Sequence, residues 1–85
     1  MNRDEILARL RGVFSEVFDD DSLVFSDTLG RDTLKAWDSL GHIRLITAIE
    51  DEFGIHFRIE EIEHLTDVGR MLECIGARHA HAVNE

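Results

Sequence analysis

Two stretches of this chain repeat their apolar residues at helical spacing, and a long aperiodic stretch separates them. In residues 4 to 18, Ile6, Leu7, Leu10, Val13, Phe14 and Val17 form one apolar stripe. In residues 39 to 53, at about 100° per residue, His42, Leu45, Ile46, Ile49 and Phe53 fall on one side. The 85 residues contain no proline and six glycines, so long uninterrupted helices are allowed. A chain of this length has room for one small core and reads as one domain, residues 1–85.

Boundary signals refine the pattern. Asn2 followed by Glu5 resembles a capping box for the first helix, which should end near Asp19. From Asp19 to Asp38 the apolar residues Leu23, Val24, Phe25, Leu29, Leu34 and Trp37 are irregularly spaced, as in a loop pinned against helices. Thr33 to Ala36 suits one short turn. Gly54 is placed to end the second helix. Ile55 to Ile59 alternates like a strand but has no partner strand, so an extended connection is expected. Glu60 to His64 suits a short helix carrying Ile62. Thr66 and Asp67 open a last helix to about Ala80, with Val68, Met71, Leu72 and Ile75 as its core stripe. Residues 79–85 read as a frayed tail. The expected fold is all-α: a small antiparallel bundle of three long helices and one short one, with a long loop between the first two.

Charge narrows the roles. Asp and Glu number 18 against 9 Lys and Arg, a net charge of −9. Such a chain repels nucleic acid and anionic membranes and favours basic protein partners. Cys74 is the sole cysteine, which fits a reducing cytoplasm. No apolar run approaches a membrane span, and Met1 to Phe14 mixes arginines with acids, unlike a signal or transit peptide.

The second helix carries more than a core face. Leu40 and Ile43 fall roughly opposite that face, beside Arg44, Thr47 and Asp51. The run Glu50-Asp51-Glu52 is either a solvated surface or the acidic rim of an apolar docking patch. Catalytic and metal readings fare poorly. Helix geometry points His42 away from Ser39 toward the core, and Trp37-Asp38-Ser39-Leu40-Gly41 lacks the first glycine of a nucleophile elbow. Asp19-Asp20-Asp21 suggests a calcium loop, but Val24 stands where that loop needs glycine. His56, His64, His79 and His81 are scattered, and Cys74 beside Ile75 reads as core filler. Ser39 itself is open to two readings. It, or Asp38, is a helix cap, or it bears an anionic group that free helix N–H groups would favour.

The segment Trp37 to Phe57, "WDSLGHIRLITAIEDEFGIHF", resembles the attachment region of acyl carrier proteins and the related peptidyl carrier domains. Those proteins carry Asp-Ser-Leu at the start of their second helix, and the likeness extends over essentially the whole chain. The resemblance implies a non-catalytic carrier. Ser39 would accept 4′-phosphopantetheine from coenzyme A: its Oγ attacks the β-phosphate and 3′,5′-ADP leaves. A separate Mg²⁺-dependent phosphopantetheinyl transferase would do this, with Asp38 helping to place the serine. The arm's thiol would hold acyl or aminoacyl groups for ligases, acyltransferases or condensing enzymes. Leu40, Ile43, Arg44, Thr47, Glu50, Asp51 and Ile62 would meet those partners, and a monomer suits the shuttle. Fatty-acid carriers commonly have acids where this chain has Gly41 and Arg44. Trp37 and Gly41-His42 look more like discrete carriers of polyketide, non-ribosomal peptide or related pathways.

Overall fold

The computed structural model describes residues 2–19 and 25–83, with side chains described through Arg78. Among the described residues four helices form a small bundle: α1 (Arg3–Phe18), α2 (Ser39–Phe53), α3 (Ile59–His64) and α4 (Val68–Val83). The described residues hold no strand; one isolated bridge pairs Gly30 with Asp67.

The two periodic stripes do what their spacing predicts. α1 buries Ile6, Leu10, Val13 and Phe14, and the Asn2 side chain accepts a hydrogen bond from Glu5 N at 2.8 Å. Asp19 ends it in the left-handed region at φ 50°, with its N–H on Ser15 O. α2 buries His42, Leu45, Ile46, Ile49 and Phe53, and Gly54 at φ 65° closes it. α1 packs against both α2 and α4.

The long loop supplies the middle of the core. Trp37 is 1% exposed. Phe14 meets Trp37 edge-on at 5.2 Å and 80°, and Phe25 at 5.2 Å and 72°. Each such pair contributes about 0.5–1.5 kcal/mol beyond the area it buries. Phe25, Leu29 and Leu34 pack against the same cluster, so the loop is pinned as its irregular apolar residues suggest. Leu23, Val24 and the Asp20–Ser22 part of the expected break lie outside the described residues.

Backbone bonds fasten the loop to the head of α4. Val68 N donates to Leu29 O at 2.9 Å, Gly69 N to Asp27 O at 3.0 Å, and Arg31 N to Thr66 O at 3.1 Å. At Gly30 a Cβ would stand 2.8 Å from Thr66 O, a distance no side chain tolerates. Thr66 and Asp67 therefore belong to this contact, and α4 starts at Val68 rather than Thr66. Asp67 Oδ1 caps it by accepting from Arg70 N at 2.8 Å. The expected tail, 79–85, is helical in backbone as far as Val83, beyond the expected end near Ala80. The side chains of His79 and His81 lie outside the described residues.

α3 begins at Ile59, one residue earlier than expected, and has no buried residue. Polar ties hold it. Glu61 Oε1 accepts from Arg58 N at 2.8 Å and pairs with the Arg78 guanidinium, while Oε2 accepts from Cys74 Sγ at 3.4 Å. Arg78 in turn lies over the Phe57 ring at 5.4 Å. The Arg58 N–H bond, opposed by burial and helped by Cys74, Arg78 and Arg58, lowers the Glu61 carboxyl below the usual glutamate value. Burial pushes the Cys74 thiol up, consistent with core filler rather than a nucleophile.

A depressed carboxylate stabilises the fold at pH values above its unfolded-state pKa, and that stability is lost as pH falls through the folded value. Glu61→Gln is therefore expected to cost about 1.5–3 kcal/mol at neutral pH, the range for a hydrogen bond to a charged group. The gap to wild type should close on acidification below the ordinary glutamate range. Denaturant unfolding across pH checks this; a gap that does not change with pH would remove the clamp's dependence on charge.

Candidate functional site

The first turn of α2 is capped by Asp38, not by Ser39. Asp38 is extended at φ −90°, and its Oδ1 accepts from Gly41 N at 2.8 Å. Its carbonyl accepts from His42 N at 2.8 Å. Capping oxygens satisfy helix N–H groups that would otherwise lack partners. With that role filled, Ser39 starts the helix exposed, and its Oγ has no partner among the described residues. The first turn itself holds no acidic residue, and the carboxylate at the helix end is that of the cap, Asp38.

Buried residues on both sides fix this turn. Trp37 and His42 stack at 6.0 Å and 21°. Trp37 Nε1–H donates to His42 Nδ1 at 2.8 Å, and His42 Nε2 lies 2.9 Å from Ile62 O. An indole nitrogen only donates. Nδ1 is thus an acceptor, and Nε2 carries the ring proton and donates it to Ile62 O. Both nitrogens of His42 are occupied in the core, as its place on the inner face predicts, so it offers Ser39 no base.

Gly41 has a steric reason. A Cβ there would meet Ala36 O at 2.6 Å, Phe18 Cε1 at 3.2 Å and Asp38 Oδ1 at 3.3 Å. The loop turns at Leu34 O–Trp37 N, 3.0 Å, and lies directly on the first turn of α2.

The outer face of α2 is apolar at its start. Leu40 is 66% and Ile43 62% exposed. Arg44, Thr47 and Asp51 follow, all exposed, and Thr47 Oγ1 donates to Ile43 O at 3.0 Å. Arg44 makes no ion pair among the described residues and lines a groove of about 420 Å³ between α1 and α2 with Val13, Val17, Ala48 and Asp51. Glu50 is turned inward instead: half-buried, it accepts from Phe57 N at 2.8 Å and holds the 55–58 connection. Ile62 is partly buried against the core and lends its carbonyl to His42. The exposed apolar residue of α3 is Ile59, at 76%. The strand-like alternation before it hid this role, although Ile59 and Ile62 stand at helical i, i+3 spacing.

A depression that borders the serine's turn is lined by Arg31 and Lys35 together with Asp32, Asp38 and Asp67, and neither Arg31 nor Lys35 forms an ion pair among the described residues. No cluster of His, Cys, Asp or Glu among the described residues could hold a metal. No described helix is long and apolar enough to cross a membrane.

Gly41→Asp is expected to destabilise the fold by about 1–3 kcal/mol or more, because overpacking here must displace backbone. Thermal unfolding checks it. An unchanged melting temperature would mean that the 34–37 turn yields freely.

No family model matches the chain. It is 33% identical over 81 residues to an acyl carrier protein of Thermosynechococcus vestitus, covering 94% of this chain and 99% of that one. It also superposes on the solution structure of a holo acyl carrier protein from Geobacter metallireducens, with a TM-score of 0.85 and 32% identity over 94% of this chain and 92% of that one.

Proposed function

The chain belongs to the acyl carrier protein family, and we propose that it is a free-standing carrier whose cargo is held through a 4′-phosphopantetheine arm on Ser39. The observation that carries the assignment to Ser39 is the division of labour in the first turn of α2: Asp38 caps the helix, so the Ser39 hydroxyl is exposed and uncommitted. The residues fit a phosphate ester there. The helix start favours an anion at the free hydroxyl, while the depression beside Asp38 holds Arg31 and Lys35 together with Asp32 and Asp67 and adds no net positive charge. The holo state named for the Geobacter relative supports the same group here.

Ser39 Oγ would attack the β-phosphate of coenzyme A, forming the phosphodiester as 3′,5′-ADP leaves. When bound, the group supplies the thiol that carries an acyl or aminoacyl thioester. Asp38 keeps the hydroxyl free by capping. Leu40 and Ile43, with Ile59 of α3, offer an apolar patch to a phosphopantetheinyl transferase and then to ligases, acyltransferases or condensing enzymes. Arg44 and Asp51 give its rim mixed charge. Gly41 and Arg44 stand where fatty-acid carriers commonly have acids, which favours a specialised polyketide, peptide or related pathway. A monomer working in the cytoplasm suits the single half-buried cysteine.

Incubation with coenzyme A, Mg²⁺ and a broad-specificity transferase should add one phosphopantetheine by intact mass to wild type and none to Ser39→Ala. No gain with several active transferases would leave α2 as an unmodified docking helix. Ile43→Asp should slow loading by about tenfold or more while stability shifts by no more than about 0.5 kcal/mol, as for exposed positions. Stopped loading kinetics beside a melting curve decide it: loss of both in step would assign Ile43 to the fold rather than to docking.

A further inference from the structure

α3 and the first turn of α2 are joined through one buried side chain. His42 is 6% exposed and sits on the inner face of α2, between Leu40 and Ile43 in sequence but turned away from both. Through Nδ1 it receives the indole N–H of Trp37, two residues before Ser39; through Nε2–H it holds Ile62 O of α3. Ile62 O belongs to the last turn of α3, where it also accepts from Leu65 N at 3.3 Å, so the His42 bond is its second. α3 has no fully buried residue and only Ile62 packed against the core, so its position leans on such ties. Glu61 fastens it to α4 through Cys74 and Arg78, and His42 alone among these ties fastens it to α2. The exposed apolar residues are divided across the same joint, Leu40 and Ile43 on α2 and Ile59 on α3.

We propose that His42 is a positioning residue for partner recognition, holding the acceptor turn and α3 together so that both present one surface to an incoming enzyme. The proposal rests on the carrier reading of Ser39. Partner affinity then depends on a side chain that no partner touches. The two ring nitrogens have separable jobs. Asparagine can offer an oxygen near the position of Nδ1 and loses the reach to Ile62. Glutamine can offer an N–H near the position of Nε2 and loses the acceptor for Trp37.

The test compares wild type, His42→Asn, His42→Gln and, as a control for general destabilisation, Ile6→Val in the core of α1. Loading with coenzyme A, Mg²⁺ and a broad-specificity transferase is followed by intact mass over carrier concentration. Amide exchange of residues 59–64 and Trp37 fluorescence are read on the same proteins before loading. His42→Asn should raise KM about three- to tenfold, the equivalent of one hydrogen bond, with kcat retained. It should speed exchange in α3 and leave the Trp37 spectrum near wild type. His42→Gln should keep α3 exchange and KM closer to wild type and shift the Trp37 spectrum. The proposal is overturned if wild type loads and the two variants share one KM, or if KM follows melting temperature across the set including Ile6→Val. A wild type that does not load would instead sink the carrier reading, and unchanged α3 exchange in His42→Asn would still overturn the joint itself.

Discussion

The hydrogen bond from the Trp37 indole to His42 organises this small protein. It is short, at 2.8 Å, and enclosed, and each partner is itself fixed by other contacts. Trp37 is wedged edge-on against Phe14 of α1, and His42 reaches α3. Leaving a buried donor or acceptor without a partner costs about 1–3 kcal/mol, a large share of what a domain of this size has to spare. The loop, α1, α2 and α3 therefore share one constraint, and Ser39 lies within the segment it spans.

The rest of the site is a matter of distributing roles along seven residues. Trp37 fills the core, Asp38 caps, Ser39 is left over, Leu40 and Ile43 face out, Gly41 lets the loop lie close and His42 returns to the core. An exposed hydroxyl at a helix start is ordinarily consumed by capping. Here the residue before it does that job, so the hydroxyl is available without any strain in the backbone; among the described residues only Asp19 has a positive φ outside glycine.

Much of this was legible in the residue order, and the reasons are local. α1 and α2 announce themselves because apolar residues at helical spacing need only their own neighbours to be read. The inner and outer faces of α2 follow from the same angle, including His42 inside and Ile43 outside. What was hidden depends on contacts distant in sequence or on choices between equals. Asp38 and Ser39 are both good caps, so only geometry separates them. Trp37 sits in an aperiodic stretch whose order comes from Phe14 and from Thr66, far along the chain. Glu50 looked like part of an acidic surface because nothing in its neighbours indicates that Phe57 N lies within reach. Ile59 was obscured by a two-residue alternation that copies a strand. The start of α4 shifted because Thr66 and Asp67 are occupied by Gly30.

The missing side chain at Gly41 has a consequence for how this carrier can be re-engineered or can diverge. Because the Ala36 carbonyl occupies the place of a Cβ, α2 and the loop before it are complementary surfaces of a single piece. A helix borrowed from a carrier with a larger residue at that position brings a shape this loop refuses. The natural seam for exchanging identity between carriers therefore lies upstream, before Asp27, and not at the serine where the helix begins. Swaps cut there move the fastening together with the surface it supports.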